Sequence, residues 1–441
     1  MNKKSSSMVN MPAPREPINQ KIDTNNALVL NHNAIYEQRL AEITQSNTCD
    51  KAIVTVNPYG TAPLSLYLGV WMDEAAALEI NVVDSEATTE EVRYQYDVHP
   101  GANLIPVCGM VSAVNNQITL RLASQIVGQY TVMTDALPPT DSANVSLGFP
   151  IISVSCPAQQ ASLMEEGLYF STYFDRYNLA FDHNGIVRWY VSQEIPSYNF
   201  VRMDNGHFLA TSQGINHCLN MYEFDIMGRV YTVYLLDNEF HHSILPIENN
   251  LAIAPSEYSN GRPDGYSTGK DGVSIINLST GLEVAYYDML YVMDYSRSPR
   301  PSGSAPGQDV SMDDWLHINQ SYINEPNNLL ICSGRHQSAI FGVNVDSGEL
   351  RFIMANHEDW SDEFKQYLLT PVDDGSSDLV DPDEGQQALG RLVLQEINKE
   401  TKEVLFEAMV TSGYFKNEET NGTNYRYDIS AFRVYKMPLF A

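Results

Sequence analysis

From residue 52 onward the apolar positions come in short runs broken by Gly, Pro, Asn and Asp, a texture of strands and turns rather than of helices. Ile53–Val56 is followed by the turn Asn57-Pro58-Tyr59-Gly60 and then by the run from Leu64 to Trp71. Further strands are expected at Glu91–Tyr96, Asn103–Cys108, Gln117–Ala123 and Gly128–Thr134. Strands at this spacing predict a β-sandwich over residues 49–136. Residues 1–48 are polar, carry Pro12, Pro14 and Pro17, and show helical spacing only at Ile35, Tyr36, Leu40 and Ile43. They read as a flexible arm ending in a short helix. Leu137-Pro138-Pro139-Thr140-Asp141 has the composition of a linker.

Beyond the linker, over residues 145–441, the chain repeats itself. The recurring unit is an apolar strand, a turn built on Asp or Asn with Gly, and a second strand. Its copies are Phe181-Asp182-His183-Asn184-Gly185-Ile186, Phe224-Asp225-Ile226-Met227-Gly228-Arg229, Ile276-Asn277-Leu278-Ser279-Thr280-Gly281, Val345-Asp346-Ser347-Gly348-Glu349 and the Gly-less Ile397-Asn398-Lys399-Glu400-Thr401. Other hairpins lie between copies, as at Phe200–Ala210. Such four-stranded repeats predict β-propeller blades, about five of them. The fold class is therefore all-β, an N-terminal sandwich followed by a propeller. Two stretches break the pattern. Ser296–Met312 is a Ser/Pro/Gly-rich insertion of the kind that forms binding loops. Thr370–Gln387 is an acidic Pro/Gly/Ser segment standing where the remaining strands of the fourth blade belong, so the propeller looks cut short.

One hairpin organises the candidate chemistry. Asp314-Trp315-Leu316-His317-Ile318-Asn319 leads through the turn Asn324-Glu325-Pro326-Asn327-Asn328 into Ser333-Gly334-Arg335-His336-Gln337. Position 326 lies midway between 317 and 335, so His317 and Arg335 are expected to face each other across the strands, with His336 turned away by strand alternation. A guanidinium opposite an imidazole suits a tetrahedral oxyanion. His241-His242-Ser243-Ile244 starts the matching hairpin of the preceding blade, and alternation lets only one of its two histidines point inward. His32, His99 and His183 read as structurally incidental, His207 and His217 as surface or packing residues, and His357 as part of a surface loop.

Charge narrows the partners. The 26 Lys and Arg stand against 55 Asp and Glu, a net charge of −29 that repels nucleic acid and anionic membranes. The 441 residues exceed the usual size of one core, in keeping with two domains. The five cysteines are dispersed and odd in number, so neither a zinc site nor a disulfide framework is indicated. No apolar run is long enough for a membrane helix and no secretory h-region follows Lys3-Lys4, which points to a soluble chain, cytoplasmic unless an export signal was removed. No His-x-x-x-His pattern, nucleophile elbow or Gly-rich phosphate loop occurs, so neither a metal nor another cofactor is expected.

The motifs quoted, together with Val56-Asn57-Pro58-Tyr59-Gly60-Thr61-Ala62-Pro63-Leu64 and Tyr222-Glu223-Phe224-Asp225-Ile226-Met227-Gly228, resemble those of the bacterial aryl-sulfate sulfotransferases over about residues 50–373. The resemblance implies a six-bladed propeller behind an N-terminal sandwich, and sulfuryl transfer from a phenolic sulfate ester to a phenol through a sulfated histidine, without a nucleotide donor. It makes His241 and His317 the channel histidines, Arg335 the sulfuryl-binding arginine and Asn319 a substrate-binding residue. The implied partners are a small aryl sulfate and a phenol, with no nucleic acid or membrane insertion; a homodimer stays open. The family's nucleophilic histidine sits in a Trp-x-x-Gln-His-like motif after the segment matching Leu368-Leu369-Thr370-Pro371-Val372-Asp373. This chain lacks that motif and resumes at Gly390-Arg391-Leu392-Val393. Three readings follow, an enzyme with a reduced or relocated site, a binding protein that keeps the anion cradle without turnover and, least favoured, a scaffold without ligand, which leaves Arg335, His317 and His241 as unexplained polar groups in a channel.

Overall fold

The short apolar runs of the sequence form strands in the computed structural model. It describes residues 22–139, 149–155, 167–173, 177–195, 199–211, 218–240, 242–248, 250–257, 272–299, 315–370, 391–397, 404–411 and 434–437. The chain divides into two compact units: one is Thr24–Ala210, Tyr222–Val233 and Ala388–Ala441, the other Met1–Asp23, Thr211–Met221 and Tyr234–Gln387.

In the first unit, β1 (Ile53–Val56), β2 (Leu66–Met72) and β5 (Gly101–Val107) make one antiparallel sheet. The second sheet runs β4 (Val92–Val98), β3 (Ala76–Asp84), β6 (Asn115–Leu122), β7 (Gln125–Met133). Leu66, Leu68, Val70, Leu78, Ile80, Ile105 and Leu120 fill the core they share. Strand β3 adds to the expected strands. Its Leu78, Ile80 and Val82 alternate with Glu79 and Asn81, but an Ala-rich start weakens the signal.

Helix α1 (Ala27–Ala41) begins where the Asn26 side chain accepts hydrogen bonds from the Leu28 and Val29 amides. The helix is docked rather than loose. Val29 and His32 are buried, with Leu28, Ile35, Tyr36 and Leu40 packed on the core that holds Tyr59, Phe170, Trp189 and Phe224. His32, expected to be incidental, accepts a hydrogen bond at Nδ1 from the Val230 amide at 2.9 Å.

The same unit holds β8 (Ile151–Ser155), β9 (Leu168–Tyr173), β10 (Tyr177–Phe181), β11 (Val187–Tyr190), β12 (Asn199–Arg202), β13 (Phe208–Thr211) up to Ala210 and β14 (Cys218–Phe224) from Tyr222 on. The last strands of the chain join the first of the repeats: β26 (Val434–Met437) pairs with β9, and β25 (Val404–Thr411) pairs with β8 on one side and β24 (Arg391–Ile397) on the other. The Asp turns form for the reason read from the sequence. Asp182 Oδ1 accepts the amides of Asn184 and Ile186, Asp225 Oδ1 those of Met227 and Arg229, and Gly185 and Gly228 take φ of 78° and 75°. Both turns also brace the sandwich. Arg188, fully buried, pairs with Asp182 at 2.8 Å and donates to the carbonyls of Glu90 and Gly109, while Thr61 Oγ1 donates to the Gly228 carbonyl.

The second unit carries the part of β15 (Val230–Phe240) from Tyr234 on, with β16 (Leu245–Ile247), β17 (Leu251–Glu257), β18 (Gly272–Asn277) and β19 (Glu283–Asp288). A four-stranded antiparallel meander follows, β20 (Ile318–Asn324), β21 (Leu329–Gly334), β22 (Ala339–Asn344) and β23 (Leu350–Ala355), the form of a propeller blade. Trp315, Leu316, Ile318, Phe341, Ile353 and Met289 lie in its core. The turns at Asn277 and Asn344 repeat the Asp-turn design, with Gly281 and Gly348 in left-handed conformation. The fifth turn copy falls on residues 398–403, and most of the acidic segment on residues 371–390, both outside the described residues.

Candidate functional site

Strands β20 and β21 pair around a single 3-10 turn, Glu325–Asn327, which Asn328 closes with a left-handed φ of 52°. The pairing continues past the strands as three successive hydrogen bonds. The Arg335 amide donates to the His317 carbonyl at 3.0 Å, the His336 amide to the Leu316 carbonyl at 3.1 Å, and the Gln337 side-chain Nε2 to the Trp315 carbonyl at 2.7 Å.

Residue 317 therefore lies opposite 335 along the backbone, as the turn position predicts. The expected facing of side chains does not hold. Arg335 is exposed, whereas His336 is buried with its ring centroid 4.7 Å from that of His317, so His336 does not turn away. Strand alternation assumes extended backbone on both sides. His317 instead has a φ of 52°, and a bulge between Ile318 and Gln320 follows it, so the pleat that would send neighbouring side chains to opposite faces starts only beyond it.

The His317 ring meets a second imidazole. His242, just before β16, has a φ of 62°, and its Nε2 lies 3.2 Å from Nε2 of His317, the rings standing edge to face at 4.7 Å. Both rings are buried. Left-handed backbone at a non-glycine residue is uncommon and gathers where function demands it. Two nitrogens at this distance share a hydrogen bond only when one carries a proton and the other does not. The distance suits one ring as donor and the other as acceptor, the tautomers deciding which. His241 lies outside the described residues, and His242 is the residue of that dipeptide seen against His317. Asn319 occupies the bulge, and its Oδ1 is buried with no hydrogen-bond partner among the described residues.

Behind the hairpin sits a residue the sequence did not flag. Arg297 is 2% exposed; its Nη1 donates to both the main-chain oxygen of Gln337 at 2.7 Å and the side-chain Oε1 at 2.9 Å. Its Nε reaches the Glu358 carbonyl at 3.3 Å, and its guanidinium lies 4.2 Å above the Trp360 ring. Nearby Asp294 accepts hydrogen bonds from Ser296 and Ser361. Burial pushes its carboxyl up, but those bonds outweigh it and hold the group below its ordinary value. No local motif marks Arg297, because its partners lie 40 or more residues away.

Other described histidines have surroundings of their own. His207 pairs with Glu223 at 2.7 Å and stacks on Tyr231, His183 lies 3.0 Å from Glu90, and His357 is exposed. His217 is outside the described residues. Among the described residues no group of three His, Cys, Asp or Glu is arranged to hold a metal ion. Cys108 and Cys332 are buried with their thiols pushed up by burial, the state of packing residues.

Residues 153–391 match the family model of the arylsulfotransferases (ASST), and residues 53–141 match the arylsulfotransferase Ig-like domain. The chain belongs to the arylsulfotransferase family. The N-terminal sandwich is accordingly the Ig-like domain of an arylsulfotransferase, and His242, His317, Asn319, Arg335 and His336 all fall inside the match to the arylsulfotransferase domain. No curated protein matches the chain. Solved structures with some likeness include the periplasmic gluconolactonase PpgL of Pseudomonas aeruginosa, at 9% identity over 69% of this chain and 84% of that one with a TM-score of 0.27. Another is AztD of Citrobacter koseri, at 9% identity over 69% and 86% with a TM-score of 0.23. A third is the dihydro-heme d1 dehydrogenase NirN, at 10% identity and a TM-score of 0.25, of which this chain, covered over 63%, spans about half, 53%. Likeness at this level carries no argument about chemistry.

Proposed function

We propose that this arylsulfotransferase-family chain transfers a sulfuryl group from a phenolic sulfate ester to a phenol, and that His242 and His317 handle the proton in that exchange. The observation that carries this reading is the buried Nε2–Nε2 contact of 3.2 Å between the two histidines, inside the family match. In the first half-reaction an imidazole nitrogen bonds to sulfur as the bond from sulfur to the aryl oxygen breaks, and the departing phenolate takes a proton from the imidazolium form of the pair. In the second, the oxygen of the acceptor phenol bonds to sulfur, the nitrogen–sulfur bond breaks, and the acceptor's proton returns to the pair. Arg335, exposed beside the buried His336, suits the first capture of a hydrated sulfate ester, and the unpartnered Oδ1 of Asn319 supplies an acceptor for the incoming phenol's hydroxyl. His241, adjoining the pair in sequence, is a further candidate for the attacking nitrogen. The sheets that carry these residues have blade form, and a propeller channel is the setting this reading takes for them.

The second reading, a binding protein without turnover, is favoured by one observation, the missing Trp-x-x-Gln-His-like motif. The deciding experiment incubates the full chain with a chromogenic aryl sulfate, with and without a phenol acceptor. Phenolate release, with a sulfated histidine found by mass spectrometry after donor alone, supports transfer and names the attacking residue. Saturable binding of the ester with neither product supports the second reading.

A further inference from the structure

The geometry points to Arg297 as a positioning residue for the histidine cluster, acting through Gln337 and His336; the proposal rests on the sulfuryl-transfer reading for its catalytic consequence only. A guanidinium that is 2% exposed has lost its water, and such a group is kept in a protein interior only when many acceptors replace it. Here Nη1 spans the two oxygens of one residue, Gln337, which is itself fully buried. The amide nitrogen of that same side chain is thereby aimed at the Trp315 carbonyl at 2.7 Å and, more weakly, at the Arg297 carbonyl at 3.4 Å. Arg297 thus decides which way the Gln337 amide is turned, and the amide ties residue 337 to residue 315.

That tie is the last rung of the ladder whose other rungs join 335 to 317 and 336 to 316. With the rung in place, His336 is pressed on the His317 ring, and His317 in turn is held at hydrogen-bonding distance from His242. His317 stands in a left-handed conformation that local preference resists, so it needs such outside support. The far side of Arg297 is equally fixed, by the Glu358 carbonyl and the face of Trp360, whose own Nε1 donates to the Asn356 carbonyl at 2.8 Å. Lysine cannot replace it. A point-charge ammonium can neither lie flat on the indole nor hold a fixed fork over both Gln337 oxygens.

The test uses the full chain and the variants Arg297→Lys and Gln337→Met, each checked for cooperative unfolding. Histidine-selective 15N labelling reads the pair directly: in the wild type the 3.2 Å contact is expected to pair a protonated Nε2 with an unprotonated one, giving two distinct nitrogen environments. Both variants are expected to lose that asymmetry, and to lower kcat for aryl-sulfate turnover about 10- to 100-fold with KM changed less than about threefold. Folded variants that keep the wild-type histidine spectrum overturn the proposal, as does an unchanged kcat. If neither variant folds, Arg297 is a structural residue and the proposal fails. A wild type that shows no turnover refutes the sulfuryl-transfer reading instead, and the histidine spectra still decide the positioning role.

Discussion

The Nε2 atoms of His242 and His317 stand 3.2 Å apart, each on a residue whose backbone is left-handed. Asparagine accepts that backbone more readily than most residues but offers no imidazole. His317→Asn is therefore expected to fold with a melting temperature near that of the wild type, while phenolate release from a chromogenic aryl sulfate falls about 100- to 10,000-fold, the range for removal of an acid–base group. His317→Val, β-branched and unsuited to positive φ, is expected to lower the melting temperature as well. Retained activity in the folded asparagine variant would remove His317 from the chemistry.

Arg188 and Asp182 form a buried ion pair at 2.8 Å whose arginine also holds the Glu90 and Gly109 carbonyls. Asp182→Asn keeps an oxygen for the turn amides and deletes the charge, leaving the guanidinium uncompensated. Breaking such a pair from one side costs about 3–5 kcal/mol. Urea unfolding is expected to report a loss of that size, and a loss below about 1 kcal/mol would class the pair with surface ion pairs.

Two glycines with similar backbone separate strain from collision. Gly206 has a φ of 83° and open space where a Cβ would stand, while Gly228 has a φ of 75° and would set its Cβ against Thr61 Oγ1 and the Ala62 Cβ. Gly206→Ala should cost only about 1–2 kcal/mol for the left-handed backbone. Gly228→Ala should cost more, since it also disturbs the hydrogen bond from Thr61 to the Gly228 carbonyl. Equal denaturation midpoints for the two variants would count against the packing of this turn on Thr61.

The hairpin at 317 and 335 was legible because a Pro/Asn turn fixes its own midpoint, and the Asp turns were legible because Asp, Asn and Gly build such turns locally. What escaped depends on distance or on broken periodicity. Arg297 meets Gln337 and Glu358 only through the fold. The burial of His336 and exposure of Arg335 invert the expected facing because His317 is not extended. Strand β3 is a different case, since its alternation was present and an Ala-rich start hid it. The docking of His32 could not be foreseen from a polar, proline-bearing arm.

His32 gives the chain a pH dependence whose sign follows from one hydrogen bond. Its Nδ1 accepts from the Val230 amide, a group that can only donate, so Nδ1 must stay unprotonated while helix α1 is docked. Protonation is further opposed by burial and then by the Arg229 guanidinium, which lies over Tyr36 and Tyr231; together these lower the His32 pKa from 6.5 to about 4. The ring also leans on Tyr59, 4.8 Å away. A group whose folded pKa is depressed contributes its full stability above its unfolded pKa and loses it as the pH falls toward the folded value. The loss between pH 7 and pH 4 is expected to approach about 3 kcal/mol. Asp225, whose carboxyl burial pushes up, shifts stability the opposite way, and comparison with a variant that retains it cancels its part. His32→Gln is that variant, since its side-chain oxygen can accept from Val230 without titrating. Urea unfolding of both proteins across this range should show the wild type losing ground to His32→Gln steadily below pH 6.5. A stability difference that stays flat with pH would mean that the helix does not depend on a neutral His32.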